Sequence, residues 1–294
     1  MVIEVFRHGA RSPIITDYPV SFGANWELGP GELTPIGERQ QYLSGLKRRE
    51  KYIYSEEFLP DFYTPGTFDQ LIYAESSPYN RTQMSAYAHL WGIYPFKKRE
   101  NVDIQIEDKI ITVHNSIPVH MRGDEHGVLN GYSTEYCHTF KILEEKSIIE
   151  SNIEFSQRES ISKMINELNE KFNLTGNQKY VNFSDIADAV DSYYSVINNA
   201  RPHTIHMSDF FIEKMDLYLW LRMHFTFLRD DFGVKIASHS FFSIINSLIS
   251  HKMGVENPTP EDYNTKSIPK NVLYYIFSGH DTSLAAILAG LGHK

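Results

Sequence analysis

The sequence predicts an α/β protein, a central sheet flanked by helices with a helical insertion, and three observations carry that prediction. Apolar, β-rich runs stop abruptly at polar clusters in three places: Val2-Ile3-Glu4-Val5-Phe6 before Arg7-His8-Gly9, Leu71-Ile72-Tyr73-Ala74 before Glu75-Ser76-Ser77, and Val272-Leu273-Tyr274-Tyr275-Ile276-Phe277 before Ser278-Gly279-His280-Asp281. Short continuous apolar runs suit strands buried on both faces of an α/β sheet. Helical patterns alternate with these runs. From about 100 to 232 helix signals dominate and strand signals are few.

The elements follow in chain order. The first apolar run makes a strand at the N-terminus. Thr34-Pro35 supplies a cap and a first-turn proline ahead of Ile36, Tyr42, Leu43 and Leu46. After the second strand, Met84, Ala88 and Trp91 fall at helical spacing. Two further apolar stripes are Ile161, Ile165, Leu168, Phe172 and Ile186, Val190, Tyr193, Ile197. Ser208 can cap a helix through Phe211, Met215 and Leu219, an amphipathic helix is expected over 240–252, and Thr282 can cap a last helix over 283–291. The expected division is a catalytic part at 1–99 and 233–294 and a mostly helical insertion or cap at 100–232.

Composition narrows the function classes. With 28 Lys plus Arg against 37 Asp plus Glu, the formal net charge is −9. That argues against a surface devoted to nucleic acid or anionic lipid, though not against a small basic pocket. The 13 histidines would reverse the sign of the net charge if all were protonated before any carboxylate titrated. A single cysteine, Cys137, excludes an intramolecular disulfide and a thiolate zinc cluster within this chain. The most apolar stretch, around 284–291, is far short of a membrane span, and residues 1–6 read as a strand rather than a signal peptide. His203-x-x-His206 and Glu125-His126 are weighed as metal ligands and read as ordinary surface or core residues, so no metal and no cofactor is expected.

Chemistry concentrates at the three strand ends. In Arg7-His8-Gly9-Ala10-Arg11-Ser12-Pro13 two arginine forks bracket a histidine, where open α/β sheets hold their ligands. Guanidinium forks suit phosphate or carboxylate oxygens, and a glycine lets backbone approach a ligand. In Asn80-Arg81-Thr82-Gln83-Met84-Ser85-Ala86 an arginine opens a helix, unfavourable with the macrodipole unless an anion is held there. In Ser278-Gly279-His280-Asp281-Thr282 an adjacent His and Asp stand at a strand-to-helix junction, one suited to an anion and the other to proton exchange.

Together these segments resemble the histidine acid phosphatases, the acid phosphatase and phytase branch of the histidine phosphatase superfamily. The hallmark Arg-His-Gly-x-Arg-x-Pro is matched from Arg7 to Pro13, an Arg-Thr-x-x-Ser-Ala segment by Arg81, Thr82, Ser85 and Ala86, and the His-Asp pair by His280 and Asp281. The resemblance implies a phosphoglycerate mutase-like fold, a central mixed sheet flanked by helices with a helical cap. It implies a metal-independent phosphomonoesterase: His8 as nucleophile, Arg7, Arg11, Arg81 and His280 as phosphate ligands, and Asp281 as proton donor. The substrate it implies is a small-molecule or phosphoprotein phosphomonoester.

Relatives of this kind usually continue past the His-Asp helix and carry several disulfides, so a chain shortened at its C-terminal strands is expected. The resemblance favours a secreted or lysosomal location, as do the sequons at Asn173 and Asn182. Two other readings stand beside the phosphatase. A mutase or sugar bisphosphatase of the wider superfamily is opposed by Arg11, Pro13 and Asp281. A non-catalytic or truncated phospholigand-binding member is opposed by intact His8 and Asp281. The oligomeric state and the particular ester stay open.

Overall fold

The computed structural model describes residues 1–64, 71–121, 129, 137–224, 231–255 and 268–293. Its elements are β1 (Val2–Arg7), α1 (Pro35–Arg49), β2 (Ile72–Ser76), α2 (Asn80–Ile93), β3 (Asn101–Ile106), β4 (Lys109–His114), β5 (His120–Met121), α3 (His138–Phe155), α4 (Glu159–Lys171), α5 (Ala187–Asn198), α6 (Asp209–Met223), α7 (Asp231–Met253), β6 (Tyr274–Gly279) and α8 (Asp281–Gly290). The protein is α/β, as the sequence predicts. Among the described residues the main sheet has the order β1-β6-β2-β5 with every pairing parallel, and the antiparallel pair β3-β4 stands as a separate hairpin.

Two compact units form. The first comprises Met1–Gly9, Pro35–Gly131 and His239–Leu284; the second comprises Ala10–Thr34, Tyr132–Ser238 and Ala285–Lys294. Residues 10–34 thus group with the helical residues, and 100–131 with the sheet.

In the first unit β2 and β6 are buried along their whole length, while β1 is only half-buried. The expectation of burial on both faces fails for β1 because it borders β6 alone and forms an edge of the described sheet. Ile72, Ala74, Tyr274 and Ile276 pack with Leu90, Ile93 and Tyr94 to form this unit's core. A buried carboxylate lies inside it. Glu4 accepts from Arg48 Nε at 2.7 Å and from the Tyr274 hydroxyl, with His89 Nε2 at 3.5 Å, an ion-pair approach too long for a strong hydrogen bond. β1, β6, α1 and α2 are thereby tied to one side chain.

Helix α1 departs from its sequence pattern. Its buried face is Gly37, Gln41, Gly45 and Arg49, whereas Ile36, Tyr42 and Leu43 are 41%, 36% and 44% exposed. The reason is close approach: a Cβ at Gly45 would collide with the His89 carbonyl, and one at Gly92 with the Tyr42 carbonyl. Backbone-to-backbone packing selects glycine, so the apolar stripe does not mark the buried face.

Residues 101–114, placed by sequence in a region of few strands, form the β3-β4 hairpin. Val102 opposes Val113 and Ile104 opposes Ile111, putting the branched residues on one face and Asp103 with Thr112 on the other. Helix α7 begins well before residue 240 and is apolar and long enough to cross a membrane by length and composition alone. The sequence expectation put the most apolar stretch elsewhere because regularly spaced serines break up the hydropathy of α7. Phe241, Ile244 and Leu248 are nevertheless buried in the protein, together with Ser243 and Ser247.

The second unit has its own core, in which Phe22, Ile161, Ile165, Leu168, Val190, Tyr193, Phe211 and Met215 meet. The α4 stripe lies inward as expected, and Ser208 caps α6 by accepting from the Phe211 amide at 3.2 Å. In the α5 stripe Ile186, Val190 and Tyr193 are buried, while Ile197 is 39% exposed.

Candidate active site

Strand order brings the three chemical segments of the first unit to one sheet edge. β6 lies between β1 and β2, in register Arg7 to Gly279 on one side and Ser76 to Ser278 on the other. The ladder continues past the strands: the His8 amide donates to the Gly279 carbonyl at 3.0 Å and the Ser77 amide to the Ser278 carbonyl at 3.1 Å. Arg7, His8, His280 and Asp281 therefore leave the carboxyl ends of adjacent parallel strands, and α2 opens beside them with Arg81. That edge is where open α/β sheets hold ligands.

His8 is buried, and its Nδ1 lies 2.8 Å from the Gly9 carbonyl oxygen. A carbonyl only accepts, so Nδ1 carries the hydrogen and Nε2 keeps the lone pair. Burial and the Arg7 charge push the imidazolium of His8 down to about 2; the Gly9 bond works the other way, and His280 and Arg81 add to the lowering. The ring is a neutral imidazole across the whole physiological range. Its backbone is also held. The Gly9 amide donates to Ser85 Oγ at 3.1 Å, and a Cβ on Gly9 would collide with the Gly37 carbonyl.

Around His8 stand the charged groups. Arg7 Nε donates to Asp281 Oδ2 at 3.0 Å. Burial pushes the Asp281 carboxyl up, but the Arg7 charge and hydrogen bond, the Thr282 amide and His8 outweigh it, leaving it below the usual carboxylate range. The His280 ring lies 5.5 Å from the His8 ring, centre to centre. Arg81 Nη2 approaches His280 Nδ1 at 3.5 Å, and the Arg81 guanidinium lies over the Tyr79 ring at 4.6 Å. One neutral imidazole, two guanidiniums, a second imidazole and a carboxylate thus converge within one unit, enough to bind a phosphoryl group, attack it and exchange a proton.

Arg11 belongs to the second unit. Asp191 holds its fork on both nitrogens, at 2.8 and 3.2 Å, and Asn199 Nδ2 donates to its carbonyl at 3.1 Å. His203 and His206 have ring centres 4.4 Å apart, and among the described residues no cluster of three metal-ligating side chains occurs. Glu125 and His126 lie outside the described residues. Thr282 is not the cap of the last helix: α8 begins at Asp281, whose Oδ1 accepts from the Thr282 amide at 2.9 Å, while Ser283 Oγ accepts from the His280 amide. The helix thus starts two residues earlier than expected, with the Asp281 carboxylate accepting from one amide of its first turn.

Sequence reasoning passed over four supporting residues. Ser77 hydrogen-bonds His280, Gly37 admits the Gly9 backbone, Asp191 pairs with Arg11, and Ser85, matched only as part of a motif, anchors Gly9. For Ser77 a signal existed: a serine just past a buried strand and one helical turn before Arg81. Asp191 had none, since it lies 180 residues from Arg11.

The profile of the histidine phosphatase superfamily (branch 2) matches residues 1–294. The chain belongs to that superfamily. The chain is 32% identical over 148 residues to the lysosomal acid phosphatase of Xenopus laevis, across 50% of this chain and 31% of that relative. It is 32% identical over 159 residues to the prostatic acid phosphatase of Homo sapiens, across 53% of this chain and 37% of that relative. The matched segments thus span well under half of the length of either relative. In fold it is similar to the apo form of Hafnia alvei phytase, with a TM-score of 0.62 at 15% identity over 99% of this chain and 74% of that one.

Proposed function

We propose that this histidine phosphatase is an acid phosphatase that hydrolyses phosphate monoesters through a phosphohistidine on His8, without a metal. The observation that carries the reading is the tautomer of His8: Nδ1–H is committed to the Gly9 carbonyl, so Nε2 presents its lone pair beside two guanidiniums. The acid phosphatase relatives support the same reaction class.

In the first step Nε2 attacks phosphorus, the P–N bond forms, and the ester P–O bond breaks with its electron pair on the leaving oxygen. Asp281 gives that oxygen a proton. In the second step water attacks phosphorus, loses a proton to the Asp281 carboxylate, and returns His8 with its lone pair. Arg7, Arg81 and His280 bear the phosphoryl charge, so positive side chains do the work a cation does elsewhere. Arg11 keeps its assignment as a phosphate ligand on the family resemblance alone.

The test is turnover of an aryl phosphate at mildly acidic pH, with alkali-quenched labelling of the protein. His8→Ala abolishes the acid-labile phosphoenzyme and lowers turnover by roughly three orders of magnitude or more, and EDTA leaves the wild-type rate unchanged. Labelling that survives in His8→Ala moves the nucleophile elsewhere. Loss of activity in EDTA with recovery on adding a divalent metal overturns metal independence.

A further inference from the structure

The hydroxyls behind His280 carry a hydrogen count that decides which of its ring nitrogens is protonated. Thr82 Oγ1 lies 2.9 Å from the Ser77 carbonyl, 2.8 Å from the Tyr79 carbonyl and 2.8 Å from Ser77 Oγ. Ser77 Oγ lies 2.9 Å from His280 Nε2. Ser77, Thr82 and His280 are 3%, 0% and 6% exposed, so these contacts are made in a dry setting; the Ser77 carbonyl also accepts from Ser76 Oγ at 2.8 Å, and the Tyr79 carbonyl from the Thr82 and Gln83 amides. A hydroxyl has one hydrogen and a carbonyl none.

If Thr82 donates to a carbonyl, Ser77 can donate to Thr82 Oγ1, and His280 Nε2–H then donates to Ser77 Oγ. Only one of the four contacts is left without a hydrogen. If the chain runs the other way, Thr82 to Ser77 to an unprotonated Nε2, both carbonyls face the Thr82 oxygen at hydrogen-bond distance with nothing between. Oxygen lone pairs in that position repel, in a dry setting that magnifies the cost. The first polarity wins.

We propose that Ser77, oriented by Thr82, is a positioning residue that fixes the hydrogen of His280 on Nε2. Nδ1, turned toward Arg81, is then the nitrogen offered to the substrate anion, and it must take up a proton to donate to it. This rests on the phosphate-binding role given to His280 above. The groups facing the ring are consistent with that coupling. Arg81 on α2, His8 at the end of β1 and the Arg7–Asp281 pair surround it, with the Tyr79 ring edge-on at 5.1 Å. The guanidiniums oppose a second proton on the imidazole until an anion arrives to balance it.

The experiment is nitrogen-15 NMR of the histidine side chains in the full chain at neutral pH, the His280 signals being assigned by their loss in His280→Gln. Sulfate is the probe, because it remains a dianion throughout and has no proton of its own to contribute. The expected wild-type result is a protonated Nε2 with a lone pair on Nδ1, and protonation of both nitrogens once sulfate is added. Ser77→Ala is expected to lose the single tautomer and to shift the basic limb of the kcat/KM pH profile; Ser77→Thr, which keeps the hydroxyl, restores both. An unprotonated Nε2 in the wild type overturns the proposal, as does a His280 tautomer unchanged by Ser77→Ala. Neither result depends on turnover, so an inactive chain with the expected tautomer counts against the phosphatase reading alone.

Discussion

Glu4 offers the most quantitative test of how the sheet unit is held together. Burial alone would raise its carboxyl, yet His89, Tyr274 and Arg48 together hold it down to about 2 from an ordinary 4.5. The perturbation is Glu4→Gln, which keeps the size and one acceptor but removes the charge facing Arg48. A tenfold change in proton affinity is about 1.4 kcal/mol, so a carboxyl moved from 4.5 to about 2 contributes about 3 kcal/mol at neutral pH. Its side chain is only 9% exposed, so solvent screens little of this. The folded-state value is the depressed one, and the sign follows. The contribution is fully present above the ordinary carboxylate value and is lost as pH falls toward about 2. Urea unfolding at pH 7, 5 and 3 should show the variant about 3 kcal/mol less stable at pH 7, with the gap narrowing by about 2 kcal/mol at pH 3. Parallel stability curves for the two proteins, with the gap unchanged by pH, would refute the reasoning.

Two further predictions concern the site. Gly9→Ala should destabilise the protein by roughly 1–3 kcal/mol and depress turnover, because its Cβ meets the Gly37 backbone, which has no rotamer by which to yield; thermal unfolding and kcat together check this, and an unchanged melting temperature counts against the close approach. Asp281→Asn should slow esters with poor leaving groups by roughly 10²–10⁴-fold and activated aryl phosphates far less, so equal slowing of both classes would remove Asp281 from the proton-donor role.

Fold class was legible because β2 and β6 are buried on both faces and therefore read as unbroken apolar runs. The site was legible for a related reason. Parallel strands place their C-terminal residues at one edge, so Arg7, His8, Arg81, His280 and Asp281 needed only that β1, β2 and β6 be neighbours. What the pattern hid was contact made by backbone or by small polar groups. Gly37 and Gly45 form the buried face of α1, yet no hydrophobic period marks a glycine. Ser77 and Ser85 act through single hydroxyls whose partners are 203 and 76 residues away. Branched residues at 102, 104, 111 and 113 alternate as a hairpin should, but a surrounding stretch rich in helical stripes outweighed them.

The resting charge balance of the site bears on why such a chemistry would run in acid. Arg7 is engaged by Asp281, and that pairing keeps the carboxyl ionised, the wrong form for the proton donor proposed above. A phosphoryl dianion that takes the Arg7 fork removes the partner holding the carboxyl down and adds negative charge beside it. Both changes raise its affinity for a proton. Binding and protonation are therefore coupled through one guanidinium, and lowering the pH assists the protonation. A histidine nucleophile would ordinarily forbid this, because acid would protonate it first. Here burial and the neighbouring cations keep His8 neutral down to about 2. The pH can fall through the whole carboxylate range, supplying the acid form of Asp281, before the lone pair on Nε2 is lost.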